Sequence, residues 1–156
     1  MGIRRKAREL ALQVLYQIDL TGLEPAPALE LFCEHFEAGK KSMPYTRCLV
    51  QGVFDNRQEF DAMIGSYAQN WRPERMSVID RNILRLALYE LRYQNDVPAR
   101  VVINEAIEVA KRFGNEESGP FINGILDAIR KSTLTENTPA PGKASERQGC
   151  ARLAKK

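Results

Sequence analysis

The chain has a single histidine, His35, and three cysteines, Cys33, Cys48 and Cys150, among its 156 residues. Metal sites and Cys-His nucleophiles need several such groups at recurring spacings, and Cys33 near His35 is an isolated coincidence, so neither chemistry is expected. An odd, unpatterned cysteine set also fits a reducing compartment better than a disulfide framework. No apolar run approaches membrane-spanning length, and the basic N-terminus lacks the apolar core of a signal peptide, which points to a cytoplasmic protein. An Arg-rich amphipathic start can also mark an organelle transit peptide, but Glu9, Asp19 and the unbroken helical pattern argue against one. No segment shows convincing period-two alternation, which excludes a strand-built body. Gly39-Lys40-Lys41-Ser42 matches the end of a phosphate-binding loop, yet Glu34 stands where its first glycine belongs and no strand precedes it. It reads as a lysine-bearing surface loop.

What the chain does contain is helical periodicity. Ile3, Ala7, Leu10, Ala11, Val14, Leu15 and Ile18 form a stripe that ends before Thr21-Gly22. A second helix fits residues 26–38, with Leu29, Leu31, Phe32 and Phe36 apolar and Gly39 closing it. A third runs from Tyr45 to about Tyr67, burying Leu49, Val50, Val53, Phe60, Met63, Ile64 and Tyr67, and is ended by Trp71 and Pro73. Val78 to Tyr93 is apolar over more than one face and belongs at the centre of the fold. The turn at 95–98 hands Pro98 to the first turn of the next helix.

Residues 102–127 give a helix, a stop and another helix. Ile103, Ala106, Ile107, Ala110 and Phe113 make one apolar face, and Gly114 is the expected left-handed cap. The last helix starts near Ser118, whose hydroxyl is placed to accept an orphan backbone N–H, and carries Pro120 in its first turn. Gly124 inside it costs roughly 1 kcal/mol relative to alanine, so close approach of another backbone is the expected compensation. A 156-residue chain can bury a full core without staples. The pattern predicts an all-α body of about six to seven helices in two packed three-helix bundles, about 1–71 and 78–131, with a break at Arg72–Ser77. Residues 132–156, poor in large apolar side chains, form an expected disordered tail.

Charge is uneven. The net charge is +3, but residues 1–131 balance at 18 charges of each sign, and Arg4, Arg5, Lys6 and Arg8 leave residues 9–131 acidic. A basic arm on a mildly acidic body points to a localised polyanion contact. At about 100° per residue, Arg5 and Tyr16 lie within about 20° of one another around the first helix, with Arg8 and Leu12 nearby. Such a strip offers guanidinium groups to phosphates and a ring to an unstacked base. On the residues alone, a solvated helix start with a boundary tyrosine is the stronger reading.

Four ordered segments carry a resemblance: Arg-Lys-Ala-Arg-Glu-Leu-Ala-Leu-Gln-Val-Leu-Tyr (5–16), Ile-Leu-Arg-Leu-Ala-Leu-Tyr-Glu-Leu (83–91), Asp-Val-Pro (96–98) and the helix-stop-helix at 102–127. From about Arg4 to Lys131 the chain resembles the NusB family of transcription antitermination factors. The resemblance implies two helical subdomains packed as one unit, and binding to a short single-stranded boxA element in ribosomal leader RNA. It also implies a heterodimer with the ribosomal small-subunit protein NusE, and assembly with NusA, NusG and RNA polymerase. No covalent chemistry and no cofactor are implied. Some members of the family self-associate, so a homodimer stays open.

Carried over residue by residue, the resemblance places RNA contacts at Arg4, Arg5, Lys6 and Arg8, with Tyr16 at the matching tyrosine, and a second contact at Arg85. It puts Asp80 at the protein-partner contact. Glu117, Ser118 and Phe121 fall in a region the family uses for RNA, where helix N–H groups favour anions. Phe121 is then either a stacking ring or a core residue. Pro120 stands where homologues can carry a basic residue. Arg81 and Arg92 share a side of the helix with Arg85, and Arg92 reads as an ordinary surface arginine. Asn104, Glu105 and Asn123 read as capping or interhelical hydrogen-bonding residues. Two alternatives differ in class: a protein-interaction scaffold whose arm meets an acidic partner, and an RNA-binding module like that at the start of RNA cytosine methyltransferases. No catalytic-domain pattern follows Lys131, which weighs against the second.

Overall fold

The helical periodicities become six helices in the computed structural model, which describes residues 2–35, 40–68 and 76–136. They are α1 (Ile3–Thr21), α2 (Pro25–His35), α3 (Met43–Tyr67), α4 (Val78–Tyr93), α5 (Ala99–Phe113) and α6 (Ser118–Glu136). No strand occurs among the described residues. Phe36, Gly39, Trp71, Arg72, Pro73 and Cys150, and the tail beyond residue 136, lie outside them. Residues 132–136 continue α6 instead of opening a disordered tail, because each added residue of an existing helix gains a backbone hydrogen bond at little nucleation cost.

Packing follows the apolar stripes. α1 lies against α2, α3, α4 and α5, and α4 contacts α1, α3, α5 and α6, so α4 is central, as its wide stripe requires. α5 and α6 pair along their apolar faces. One contiguous core joins Leu12, Leu49 and Ile64 with Leu84, Ile122 and Leu126. The enclosure of α1 has a local consequence: every residue from Ala7 to Leu12 is buried, Arg8 and Glu9 included.

The helix ends are specified by different devices. Gly22 adopts φ 75° and returns its N–H to the Ile18 carbonyl at 2.8 Å, a left-handed cap that favours glycine. Ser77 caps α4 by accepting the Asp80 N–H at 3.0 Å, and Asp80 complements the positive end of the helix dipole. Gly114 is not left-handed as expected. It is extended at φ −94°, and glycine is needed there because a Cβ would press on the Ser118 side chain and the Ala110 carbonyl. Pro98 sits at the N-cap of α5, one residue before its first turn.

Two further expectations are corrected. The Ser118 hydroxyl accepts the N–H of Asn115 at 3.0 Å, tying the loop back to α6 instead of capping α6 forward. Asn115 Oδ1 meanwhile accepts the Glu117 N–H at 2.9 Å. Gly124 is exposed, and nothing lies within 4 Å of a Cβ built there. The glycine that does permit close approach is Gly52 on α3, where a Cβ would overlap the Tyr89 ring of α4. Leu31 is 38% exposed, on the outer side of α2.

Candidate nucleic-acid interface

The start of α1 meets the turn before α5 and the first half of α5 in an open cleft of about 460 Å³. Arg4, Arg5 and Arg8 line it from α1, and Asp96, Val97, Pro98, Val101 and Glu105 line it from the other side. None of the three arginines is a solvated surface cation. Arg4 Nη2 donates to Asp96 Oδ2 at 2.8 Å, and its guanidinium lies over the Tyr45 ring, 5.2 Å from the centroid. Arg5 Nε and Nη2 donate to Glu105 Oε2 and Oε1, both at 2.8 Å. Lys6, which is not part of the cleft lining, is the exposed member of the arm.

Arg8 goes deeper. Its Nε and Nη2 donate to Glu90 Oε1 and Oε2 at 2.7 Å, and the Tyr45 hydroxyl donates to Glu90 Oε2 at 2.8 Å. Only 7% of the Arg8 side chain and 2% of the Glu90 side chain are exposed. This network joins α1, α3 and α4, and Arg8 also approaches Glu105 at 3.7 Å. Burial works against the Arg8 cation, but the hydrogen bond and field of Glu90 outweigh it and hold the guanidinium charged more firmly than usual. Burial first, then the Glu90 charge, pushes the Tyr45 phenol far above its ordinary range. The Arg5 hydrogen bond, against some desolvation and with the help of Arg8, holds the Glu105 carboxyl below its ordinary value.

The expected strip from Arg5 to Tyr16 is therefore interrupted. Arg8 faces Glu90, and Leu12 is 1% exposed, because α1 is enclosed by four other helices over this stretch. Tyr16 emerges beyond it, 40% exposed, about 16 Å along the axis from Arg5 at 1.5 Å per residue. The arm and the tyrosine are separate patches at the two ends of a buried segment.

Arg85 is likewise internal. Its Nε and Nη2 donate to Asp61 at 2.7 and 2.6 Å, and its Nη1 to Asp19 Oδ2 at 3.2 Å and Asn82 Oδ1 at 3.1 Å. With 7% of its side chain exposed, Arg85 ties α4 to α1 and α3, and the expected surface contact there is corrected to a buried ion cluster. Burial lowers its proton affinity, and the hydrogen bond and charge of Asp61 more than restore it. Arg81 joins the cluster through Asp19 at 3.1 Å, whereas Arg92 pairs with Glu59 at 2.5 Å. Asp80 is half-buried at the start of α4, and its Oδ1 is buried with no hydrogen-bond partner among the described residues.

At the α5–α6 junction, Glu117 is exposed, Ser118 buried and Phe121 half-buried against the core. Phe121 is thus partly packed in the core and partly accessible. These three are brought together by the short turn after Gly114, but they do not line the arginine cleft. α5 spans both places: Glu105 faces the cleft, and Arg112 near the junction reaches back to Glu9 of α1 at 2.9 and 2.7 Å.

Sequence reasoning placed Glu105 correctly as an interhelical hydrogen-bonding residue and missed Glu90, Asp96 and Arg112. Glu90 carried a signal, since a carboxylate inside the wide apolar stripe of the central helix has to be buried with a cationic partner. Among the described residues, no group of three or more His, Cys, Asp or Glu side chains is placed to hold a metal ion, and no helix is long and apolar enough to cross a membrane.

Comparison with known proteins gives consistent results. A family model described as the NusB family matches residues 5–131. The transcription antitermination protein NusB of Desulfatibacillum aliphaticivorans is 50% identical over 129 residues, covering 83% of this chain and 90% of that one. Among solved structures, T. maritima NusB aligns with a TM-score of 0.73 at 39% identity, covering 82% of this chain and 90% of the other. A structure of antitermination factors NusB and NusE in complex with double-stranded RNA aligns with a TM-score of 0.74 at 29% identity, covering 83% and 97%.

Proposed function

The chain belongs to the NusB family, and from that membership we propose that it is a transcription antitermination factor that binds boxA-type single-stranded RNA in ribosomal leader transcripts together with NusE. The observation that carries this reading is the cleft at the start of α1, where Arg4 and Arg5 converge beside the exposed Lys6. It gathers cations on a body that is otherwise acidic. The similarity to the NusB–NusE–RNA structure supports RNA and NusE as partners here, and the single-stranded boxA form of the RNA rests on the family membership.

In this reading Arg4, Arg5 and Lys6 meet the RNA backbone, and Arg8 holds the floor of the cleft through Glu90. Tyr16 offers its ring as a stacking platform at the far end of α1. Glu117 and the exposed part of Phe121 form a second contact at the α5–α6 junction, where the buried Ser118 holds the turn through Asn115 and Pro120 supplies no charge. Asp80 contributes to the NusE-facing surface. The two subdomains, 1–71 and 78–131, act as one unit, and the complex joins NusA, NusG and RNA polymerase in the cytoplasm. The protein is not an enzyme: it contributes binding, with no covalent step.

Three or four phosphate contacts give a log-log salt slope of about −2 to −3 on single-stranded RNA and modest affinity alone, so cooperation with NusE is part of the mechanism. Fluorescence anisotropy of a labelled boxA-type RNA, titrated with and without NusE at two salt concentrations, tests this. Sequence-selective binding that strengthens with NusE is expected. Binding indifferent to both sequence and partner would overturn the reading and favour a protein-interaction scaffold.

A further inference from the structure

The arginines that line the cleft are matched by carboxylates of the same chain. Arg4 pairs with Asp96, Arg5 with Glu105, and Arg8 with Glu90 directly behind it. Three cations face three carboxylates, so the cleft offers a polyanion no net charge while these pairs stand. The geometry of the occupation matters as much as the count. Arg5 gives Glu105 its Nε and Nη2 hydrogens, the two parallel donors of the guanidinium fork, which are the donors a phosphodiester would take in a bidentate contact. Arg4 gives Asp96 an Nη2 hydrogen. A phosphate can gain the bidentate edge of Arg5 only by displacing Glu105.

We infer that Glu105 and Asp96 are autoinhibitory contacts of the RNA site, occupying as internal carboxylates the places that two neighbouring backbone phosphates take in the complex. The inference rests on the arm being an RNA contact, as proposed above. The two pairs differ from the Arg8–Glu90 pair in being releasable. The side chains of Arg4 and Arg5 are 26% and 39% exposed, against 7% for Arg8, so water and RNA can reach the former and not the latter. Two carboxylates held on one rigid frame are displaced together by a strand presenting two linked phosphates, whereas a free phosphate ion must displace each one separately. Exchange of internal for external anions also predicts only a modest affinity for a cleft with three arginines in the absence of a partner protein. NusE then tips the exchange by adding contacts elsewhere.

The test removes the competitors without altering side-chain shape. Glu105→Gln and Asp96→Asn are compared with Glu59→Gln, which makes the same charge change beside Arg92, outside the cleft. Binding of a labelled boxA-type RNA is measured by anisotropy across salt concentrations, with circular dichroism melts to confirm folding. Each cleft variant is expected to steepen the log-log salt slope by about 0.7 and to tighten binding about 5-fold near 0.1 M salt, with both effects additive in the double variant and absent in the control. Weaker binding by Glu105→Gln would make it a positioning residue for Arg5 and overturn autoinhibition, as would equal tightening by Glu59→Gln. In parallel, Arg4→Gln and Arg5→Gln are measured in the unaltered background. If they leave affinity unchanged, the arm is not an RNA contact and the underlying reading fails. If they weaken binding while Glu105→Gln and Asp96→Asn change nothing, only the autoinhibition fails.

Discussion

Removing one member of the buried Arg8–Glu90 pair should destabilise the protein far more than replacing the whole network. Glu90 receives two hydrogen bonds of 2.7 Å from Arg8 and one of 2.8 Å from Tyr45. In Glu90→Leu the guanidinium stays buried without its acceptor, a change that costs about 3–5 kcal/mol. An unfolding entropy of about 2.1 cal/mol/K per residue over about 130 ordered residues gives about 0.27 kcal/mol/K, so Tm should fall by roughly 11–18 °C. The triple variant Arg8→Met, Glu90→Leu, Tyr45→Phe removes all the desolvated polar groups together. It should lie near the wild type or exceed it by about 1–4 kcal/mol. Urea unfolding followed by circular dichroism, supported by thermal melts, measures all three proteins. A Glu90→Leu variant within about 1 kcal/mol of the wild type would refute the reasoning. So would a triple variant less stable than the single one, since a net-favourable ion pair would then be holding the three helices together. RNA affinity of the triple variant should stay near that of the wild type, because Arg8 directs its fork at Glu90 and not at the cleft.

Gly52→Ala should destabilise by about 1–3 kcal/mol through overpacking, because its Cβ would overlap the Tyr89 ring. Gly124→Ala, with open space around it, should instead stabilise by up to about 1 kcal/mol, and denaturant midpoints of the two variants should move in opposite directions. The Arg5 hydrogen bond holds Glu105 below its ordinary value of 4.5. Its stabilising contribution is therefore fully present above that value and lost as pH falls through the lower folded value. Urea midpoints of the wild type and Glu105→Gln should differ at neutral pH and converge on acidification.

Much of the fold was legible because helices announce themselves through spacing and stops. α4 matches its expected span of Val78 to Tyr93, since its wide stripe, Ser77 cap and following turn all agree. Gly22 was legible too, as a glycine just past an apolar stripe. The misread glycines show where local pattern ends. Gly114 and Gly124 follow sequence rules, but their roles depend on the Ser118 side chain and on the empty space outside α6, which no one-dimensional pattern encodes. The site was half legible. The cations of the arm were visible at once, but their partners lie 82 to 100 positions away in sequence. A helix-wheel argument treats α1 as having one wet side, and that assumption failed because four helices surround it. Arg85 failed for the same reason, its side chain turned onto Asp61 and Asp19 rather than outward.

The long sequence separation of the Arg8–Glu90 and Arg112–Glu9 contacts, 82 and 103 residues, bears on how the protein is made. α1 leaves the ribosome before the groups that fix its charged side chains, which are translated 82 to 103 residues later. At about 5–20 residues per second, Glu9 waits on the order of 5–20 seconds for Arg112. A nascent or truncated chain ending before Glu90 carries all four basic residues of the arm and none of the carboxylates that restrain Arg4, Arg5 and Arg8. The order of synthesis thus exposes the basic arm first and neutralises it only once α4 and α5 have been made. A chain stopped before α4 is therefore expected to bind nucleic acid less selectively than one that carries α4 and α5.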